Sequence, residues 1–271
     1  MKYSVLMTVY KDDNPSYFEM ALMSMINQTK KPDEIVLVKD GPITKELQDV
    51  INKIDDNYPN IINQVSLNKN LGLGLALNEG MKQSKNELLA RMDSDDISLP
   101  TRCEKQLEEF KKNQDLDIIG CSVKEFSGDT SNIVGERNVP CTNTEIYKFS
   151  KRRDPFNHPT VMFKKSKVID AGCYSDLRKN QDTDLWIKML SNGVHCKNLP
   201  EHLLLFRFDD NTYEKRKNWL NTKLLLKIRW EAFRKGFCSL FDFMVVMVGQ
   251  VGVYLLPIRF QKFIYTRILR R

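Results

Sequence analysis

Hydrophobic and polar positions divide the first 92 residues into units of one strand and one helix. Short apolar runs, each followed by a polar turn, predict strands over residues 3–9, 34–38, 61–67 and 88–92. Apolar positions at helical spacing predict helices between them, one started by Asn14-Pro15 and one capped by Thr44. Strands that alternate with helices pair mainly in parallel through right-handed crossovers. The pattern therefore predicts an α/β fold with a mostly parallel sheet flanked by helices.

Beyond residue 96 the alternation continues less regularly. Helical spacing recurs near residues 101–113 and 184–190, and strand-like apolar runs lie near 118–123 and 160–163. Ser127 to Asn132 have the composition of a hairpin tip. From Tyr213 onward the pattern is helical only. Because no repeat or low-complexity linker interrupts the chain, we predict one domain over residues 1–212, followed by a helical region over 213–271.

The strand predicted over 88–92 ends in three acids within four residues, Asp93, Asp95 and Asp96. Carboxylates this close repel one another, and a cation or a hydrogen-bonding ligand compensates them. Open α/β sheets bind their ligands at the carboxyl ends of the strands. A solvated acidic loop is the alternative, but the strand before it and the helix expected after Pro100 favour a site. With a diphosphate ligand, Asp93 and Asp95 would hold Mg²⁺ or Mn²⁺.

Two further residues follow strands at the same predicted edge. Tyr10 has a ring suited to stacking on a nucleobase, and Asp40 can accept from a ring imide N–H or a ribose hydroxyl. Half-buried packing of Tyr10 and a turn role for Asp40 before Gly41 are the alternatives. Their convergence at one edge of the sheet favours binding.

A glycine-containing turn over residues 70–80 allows the backbone to approach a ligand. Its candidates are Asn70, Gly72 and Asn78. The turn is neither a P-loop nor a dinucleotide-binding fingerprint, and alone it is a weak signal.

Three other polar residues have two interpretations each. Asp182, at the start of a predicted helix, is either a cap or dipole partner, which local context favours, or a general base for an acceptor hydroxyl. His158 precedes a strand and is a site residue or a turn residue. Arg207 ends the apolar run 203–206 and contacts phosphate or pairs with a surface acid.

Composition and charge limit the kinds of site and partner that the protein can have. Six scattered cysteines with no Cys-x-x-Cys pair argue against a zinc site or a disulfide framework. The N-terminus has no apolar leader, so no secretory signal is expected. Residues 213–271 hold 13 Lys/Arg and 3 Asp/Glu, a net charge of +10, whereas residues 1–212 hold 29 and 32, a net charge of −3. The basic region therefore points to an anionic partner.

Taken together, these segments resemble the family 2 glycosyltransferases, inverting enzymes of the GT-A fold. The resemblance covers about residues 1–207 and runs in order through 4–10, 28–38, Asp40-Gly41, 70–80, 90–96, Pro100 with Arg102 and Gln106, His158-Pro159 and 181–190. It implies a donor-binding set made of Thr8, Tyr10, Asp40, Asn70, Gly72, Asn78, Arg91 and Asp93. It also implies Asp95, with Asp93, as metal ligands and Asp182 as the catalytic base. For three further residues the resemblance implies either a contact with the acceptor or no definite role, namely His158, Gln181 and Arg207.

The resemblance also sets the expected activity. Processive synthases of the family carry Gln-x-x-Arg-Trp, whereas here Leu226 stands three residues before Arg229-Trp230, so a single addition is expected. The expected reaction moves one sugar from a nucleotide-sugar, a UDP-sugar, to a lipid-linked oligosaccharide in O-antigen or capsule synthesis, with Mn²⁺ or Mg²⁺. Because Gln181 stands where the family has Glu, a catalytically impaired binding or scaffold protein is the alternative.

The C-terminal region carries a membrane hypothesis. Residues 237–256 are mostly apolar and about as long as the ~20 residues that span a bilayer. Polar residues on one side, Ser239, Asp242, Gly249 and Gln250, favour a helix in the interface instead. After Pro257, basic and bulky apolar residues alternate, which favours an anionic membrane surface over nucleic acid. We expect peripheral attachment at the cytoplasmic face of the bacterial inner membrane; docking on the domain or in a homodimer is the alternative.

Overall fold

The computed structural model describes residues 1–208 and 219–256. Its strands are β1 (Tyr3–Val9), β2 (Glu34–Lys39), β3 (Ile62–Ser66), β4 (Leu88–Met92), β5 (Ile97–Ser98), β6 (Leu116–Phe126), β7 (Ile133–Arg137), β8 (Met162–Lys164) and β9 (His195–Arg207). Its helices are α1 (Pro15–Ile26), α2 (Lys45–Asn57), α3 (Leu73–Gln83), α4 (Arg102–Lys112), α5 (Asn143–Ser150), α6 (Lys165–Asp170), α7 (Gln181–Ser191), α8 (Trp219–Arg234) and α9 (Leu240–Leu255).

The strands of this part of the chain form one sheet in the order β3-β2-β1-β4-β8-β6-β9-β5, with β7 paired to β6. Strands β1 to β4 are parallel to one another. Because β8 is antiparallel to both β4 and β6, β6 runs in the same direction as β4. Because β9 is parallel to β6, it also runs in the direction of the first four strands. Only β5, β7 and β8 run the opposite way among the described strands. The predicted α/β fold with a mostly parallel sheet is confirmed.

Helix starts follow the predicted capping chemistry. The Asn14 side chain accepts hydrogen bonds from the N–H groups of Ser16 and Tyr17, and the Thr44 hydroxyl accepts from Leu47 N–H. Each satisfies backbone donors that the first helical turn leaves without an intrahelical partner. Alternate side chains of β1 point to opposite faces of the sheet. Val5 and Met7 therefore belong to one apolar cluster and Leu6 to the other.

One expectation needs correction, and one strand is longer than its apolar run. The strand expected over 160–163 begins at Met162, because His158–Thr160 form a 3-10 turn closed by Thr160 N–H donating to Asn157 O at 2.9 Å. The apolar run over 203–206 is the end of the 13-residue β9, which pairs with β6 along its length. Its first half lacks a clean apolar alternation, so only the pairing with β6 reveals it.

Helices α8 and α9 pack against each other in opposite directions, and aromatic side chains join them at both ends. The rings of Trp230 and Phe243 are 5.2 Å apart between centroids, and those of Trp219 and Tyr254 are 5.1 Å apart. Ile228 of this pair packs with Ile187 of α7 in one apolar cluster. The helical prediction for this region is confirmed within residues 219–256. The basic segment after Pro257 lies outside the described residues, and the division at residue 212 stays a prediction.

The side of helix α9 that carries Asp242 and Val246 faces the protein. Asp242 is buried, and Arg152 Nε donates to its Oδ1 at 2.6 Å. The opposite side is apolar and open, with exposed fractions of 68% at Phe241 and 72% at Leu255. Ordinary surface helices have the reverse arrangement. Within residues 1–208 and 219–256, no helix is both long enough and apolar enough to span a membrane.

Candidate active site

The candidate site lies where β1, β2 and β4 end. Val9 is in register with Lys39, and Met7 with Met92, so the residues that follow these strands come together. This edge therefore holds the residues that the sequence places there, Thr8, Tyr10, Asp40 and the acidic loop over 93–96. Tyr10 is 40% exposed and available to a ligand. The donor-binding roles of these residues stay predictions.

The acidic loop brings three carboxylates together. Oxygen atoms of Asp93, Asp95 and Asp96 lie within 4.8 Å of one another. Asp93 is ion-paired with Arg91, while buried Asp96 accepts from Arg207 N–H at 2.8 Å and keeps its second oxygen unpartnered within the described residues. Hard oxygen ligands in this number suit Mg²⁺ or Mn²⁺. The residues present therefore fit a divalent cation.

Asp13 adds a fourth acid that the sequence analysis does not single out. It accepts from Tyr10 N–H at 3.1 Å and is hydrogen-bonded by the Ser94 side chain. Burial, together with repulsion from Asp93, raises the pKa of Asp13 to about 6. Asp95 is open to solvent on one side but enclosed by protein on the others, and this burial, with the charges of Asp93 and Asp13, raises its pKa to about 6. A bound cation would relieve this mutual repulsion.

Arg207 braces the acidic loop from the end of β9. Besides its N–H contact with Asp96, its Nε donates to the carbonyl of Asp95 at 2.9 Å. Its guanidinium carbon lies 3.6 Å from the ring centroid of Tyr17 and 4.5 Å from that of Phe126. Only 6% of the residue is exposed. Arg207 is therefore a buried residue beside the acidic loop, and its predicted contact with phosphate stays a prediction.

Asp40 shapes the glycine-containing turn. Its Oδ1 accepts from Leu71 N–H at 2.6 Å, and its Oδ2 accepts from Gly72 N–H and Asn70 Nδ2, both at 3.0 Å. Gly72 has a φ of 93°, a conformation that favours glycine, and a Cβ there would come within 2.9 Å of Arg178 Nη1. Asp40 thus fixes a turn whose backbone faces the same edge, and Arg178, which the sequence analysis missed, covers it.

Asn78 holds the loop before α7 against α3. Its Nδ2 donates to the carbonyl of Tyr174 at 2.8 Å, and its Oδ1 accepts from Tyr174 N–H at 3.0 Å. Because both functions of the amide are used in this way, Asn78 supports the site from the protein side. Its predicted contact with the donor finds no support in these bonds.

Arg91 and His158 lie beneath the site. Arg91 is only 1% exposed, so a direct contact with the donor is not available to it. It acts on the predicted donor site through Asp93, with which it forms an ion pair. His158 Nε2 lies 2.9 Å from the Tyr174 hydroxyl. Burial, and then the charge of Arg91, hold the pKa of His158 well below its usual range. His158 is therefore neutral at physiological pH and acts as a hydrogen-bonding residue of the core.

Asp182 occupies the second position of α7. The N-cap is Asn180, in the left-handed region with a φ of 58°, so Asp182 is not the cap; as an acid of the first turn it can still be a partner of the helix dipole. Its Oδ1 accepts from Thr183 N–H at 2.9 Å. Burial, followed by the charge of Asp154, raises the pKa of Asp182 to about 6, and Arg91 opposes this rise. An ionised carboxylate with a raised pKa suits a general base.

The helical pair at the C-terminus contacts the start of α7. Asp154 accepts from Thr183 Oγ1 at 2.8 Å and from Arg229 Nη2 at 3.3 Å. Asn180 Nδ2 donates to Asn221 Oδ1 of α8 at 2.8 Å. The backbone that carries Asp182 is therefore held by α8 on one side and by Asp154 on the other. Gln181 is buried against α3, where its Cβ lies 3.3 Å from the position of a Cβ at Gly74.

The chain is similar in sequence to proteins of known family. Residues 4–172 match the model of glycosyl transferase family 2. The chain is 36% identical over 272 residues to the UDP-Gal:alpha-D-GlcNAc-diphosphoundecaprenol beta-1,3-galactosyltransferase of Escherichia coli, covering 100% of this chain and 97% of that protein. It is 35% identical over 272 residues to the amylovoran biosynthesis glycosyltransferase AmsE of Erwinia amylovora, covering 98% of each.

Solved structures share the fold. The complex of S. aureus TarS 1–349 with UDP has a TM-score of 0.63 at 17% identity, over 96% of this chain and 77% of that one. The mannosyltransferase PcManGT of Pyrobaculum calidifontis, in complex with GDP-Man and Mn²⁺, has a TM-score of 0.66 at 13% identity, over 96% and 71%. With this fold, this site and the family match together, the chain belongs to glycosyl transferase family 2.

Proposed function

We propose that this glycosyltransferase moves one sugar from a UDP-sugar to a lipid-linked glycan acceptor in the synthesis of O-antigen or capsule polysaccharide. The observation that carries the proposal is the gathering of Asp93, Asp95 and Asp182 within the electrostatic reach of buried Arg91. The names of the Escherichia coli and Erwinia amylovora relatives, which refer to a diphosphoundecaprenol acceptor and to a polysaccharide, support the substrate class.

Asp182 is the general base of a single displacement. It takes the proton of the acceptor hydroxyl while that oxygen forms a bond to the anomeric carbon of the donor sugar. The bond from that carbon to the diphosphate oxygen breaks, the nucleoside diphosphate leaves, and the configuration inverts. A pKa of about 6 leaves Asp182 ionised at neutral pH and makes it a stronger base than an ordinary aspartate.

The donor lies against Thr8, Tyr10 and the turn that Asp40 fixes. Asp93, held by Arg91, faces the ribose in this arrangement. Asp95 and Asp93 would hold Mn²⁺ or Mg²⁺, which neutralises the charge that develops on the departing diphosphate.

The exposed apolar side of α9 attaches the enzyme peripherally to the cytoplasmic face of the bacterial inner membrane. Phe241, Val245 and Val248 share that side, at 68%, 40% and 65% exposure. The net charge of +10 over residues 213–271 adds attraction to anionic lipid.

The test is transfer by the full chain. A thermal-shift screen of nucleotide-sugars with Mn²⁺ identifies the donor, because a ligand that binds only the folded state raises Tm. That donor and GlcNAc-diphospho-lipid are then incubated with the protein, and the product is detected by mass spectrometry. We expect a UDP-sugar to give the shift and EDTA to stop transfer. Donor binding without transfer to any lipid-linked glycan would favour the impaired binding protein that Gln181 suggests.

The pH profile gives a second test, directed at Asp182. Asp154 raises the pKa of Asp182, while Arg91 lowers it. Asp154→Asn removes one negative charge and leaves an oxygen that can accept from Thr183, so the pKa of Asp182 falls. We expect the acid limb of kcat/KM, near pH 6 in the wild type, to move down by about one pH unit. Asp176→Asn, at an exposed position of the loop before α7, is the matched control and should leave the limb in place.

A further inference from the structure

Three consecutive cations, Lys151, Arg152 and Arg153, follow α5 and are exposed. This basic segment stands out because residues 1–212 carry a net charge of −3. A fourth cation lies close by, since burial and then the charge of Arg137 lower the pKa of Arg153. Guanidinium groups held near one another favour a bound anion.

One end of the basic segment borders the exposed apolar side of α9. The Arg152 guanidinium lies 5.2 Å from the centroid of the Phe241 ring, and its Nε donates to Asp242 at 2.6 Å. Phe241 is the first residue of the apolar side, which continues at Val245 and Val248. An alkyl chain lying on that side would therefore begin beside the cations.

The other end borders the base. Asp154, the next residue, accepts from Thr183 Oγ1 at 2.8 Å, and Thr183 is adjacent to Asp182. The basic segment therefore lies between the proposed base and the apolar side of α9. Three features therefore follow one another along the protein: the proposed base Asp182, the basic segment and the apolar side of α9.

We propose that the basic segment binds the diphosphate of a polyprenyl-diphosphate-linked acceptor. Such a molecule has its sugar, its diphosphate and its hydrocarbon chain in that same order, so the sugar lies at Asp182 and the chain on the face that begins at Phe241. Arginine and lysine bind a diphosphate through charge-assisted hydrogen bonds. The inference rests on the proposed function, and it adds the residues that select the acceptor.

The experiment measures binding of farnesyl diphosphate to the full chain in neutral detergent with EDTA, which disables the donor's metal site. The test variant is the double substitution Lys151→Gln and Arg153→Gln. The matched control is Lys45→Gln with Lys111→Gln, which removes two exposed charges from α2 and α4. We expect the test variant to bind farnesyl diphosphate about tenfold or more weakly, and the control to bind it like the wild type. Farnesol, which has no phosphate, should bind both variants equally.

Equal affinity of test variant and control for farnesyl diphosphate would overturn the proposal. So would a test variant that loses only its retention on phosphatidylglycerol vesicles, because the segment would then bind lipid headgroups. If the double variant does not fold, Lys151→Gln alone, at an exposed position, should still weaken farnesyl diphosphate binding by about threefold. The assay uses no donor, so a failed donor screen with intact farnesyl diphosphate binding would count against the proposed reaction and leave the basic segment assigned.

Discussion

Replacement of Asp182 by asparagine is expected to lower kcat by about 10²–10⁴-fold, the usual contribution of a general base. Asparagine fills the same space and can still accept from Thr183 N–H, so the start of α7 is preserved. It cannot take the proton of the acceptor hydroxyl. Donor affinity should stay within about twofold of the wild type, since the contacts expected for the donor lie on β1, β2 and the acidic loop. Initial rates at saturating donor and Mn²⁺, with a thermal shift for the donor, measure both quantities.

The matched control for that variant is Asp170→Asn at the exposed end of α6. It makes the same chemical change away from the site and should keep wild-type turnover. Near-normal turnover by Asp182→Asn would show that another group takes the proton.

Substitution of Asp95 by alanine is expected to abolish transfer and to remove the effect of Mn²⁺ on UDP binding. Asp95 is the exposed carboxylate of the acidic loop, whereas Asp96 is buried and Asp93 is already paired with Arg91. Asp95 therefore has the carboxylate most available to a cation. Loss of one of so few charged ligands weakens binding of a hard cation severely.

Calorimetric titration of UDP into the protein, with and without Mn²⁺, measures this effect. For wild type we expect the metal to strengthen UDP binding by about tenfold or more, and for Asp95→Ala we expect no such gain. Asp115→Ala, at an exposed position after α4, is the control and should behave like the wild type. An unchanged Mn²⁺ effect in Asp95→Ala would remove Asp95 from the metal ligands.

Local sequence signals predict the parallel half of the fold closely. The strand expected over 3–9 and that over 88–92 coincide with β1 and β4, and both predicted caps, Asn14 and Thr44, are confirmed. Buried parallel strands are continuous apolar runs, and caps depend on a few adjacent residues, so both are visible without tertiary context. In contrast, β9 depends on pairing with residues about 80 positions away, which no local pattern encodes.

The site shows the same division. The strand ends place Tyr10, Asp40 and the acidic loop at one edge, and this follows from the topology of parallel sheets. The sequence does not mark Asp13 as a site residue, because an acid in a loop beside a helix cap is common. Its role becomes visible only when the fold places it near Asp95. For α9, the pattern separates polar from apolar positions but does not tell which side faces the protein. The fold shows it, because Asp242 of the inner side pairs with Arg152.

The brace between Arg207 and the acidic loop has a consequence for the order of folding. Arg207 N–H and Asp96 are 111 residues apart in the chain, and β5 finds its partner only in β9 among the described strands. Contacts this distant in sequence form late, because a long loop must close first. During synthesis, strands β1 to β4 can pair while their acidic loop still lacks its brace, so we expect the end of the sheet that carries this loop to take its final form only after the last strand has joined.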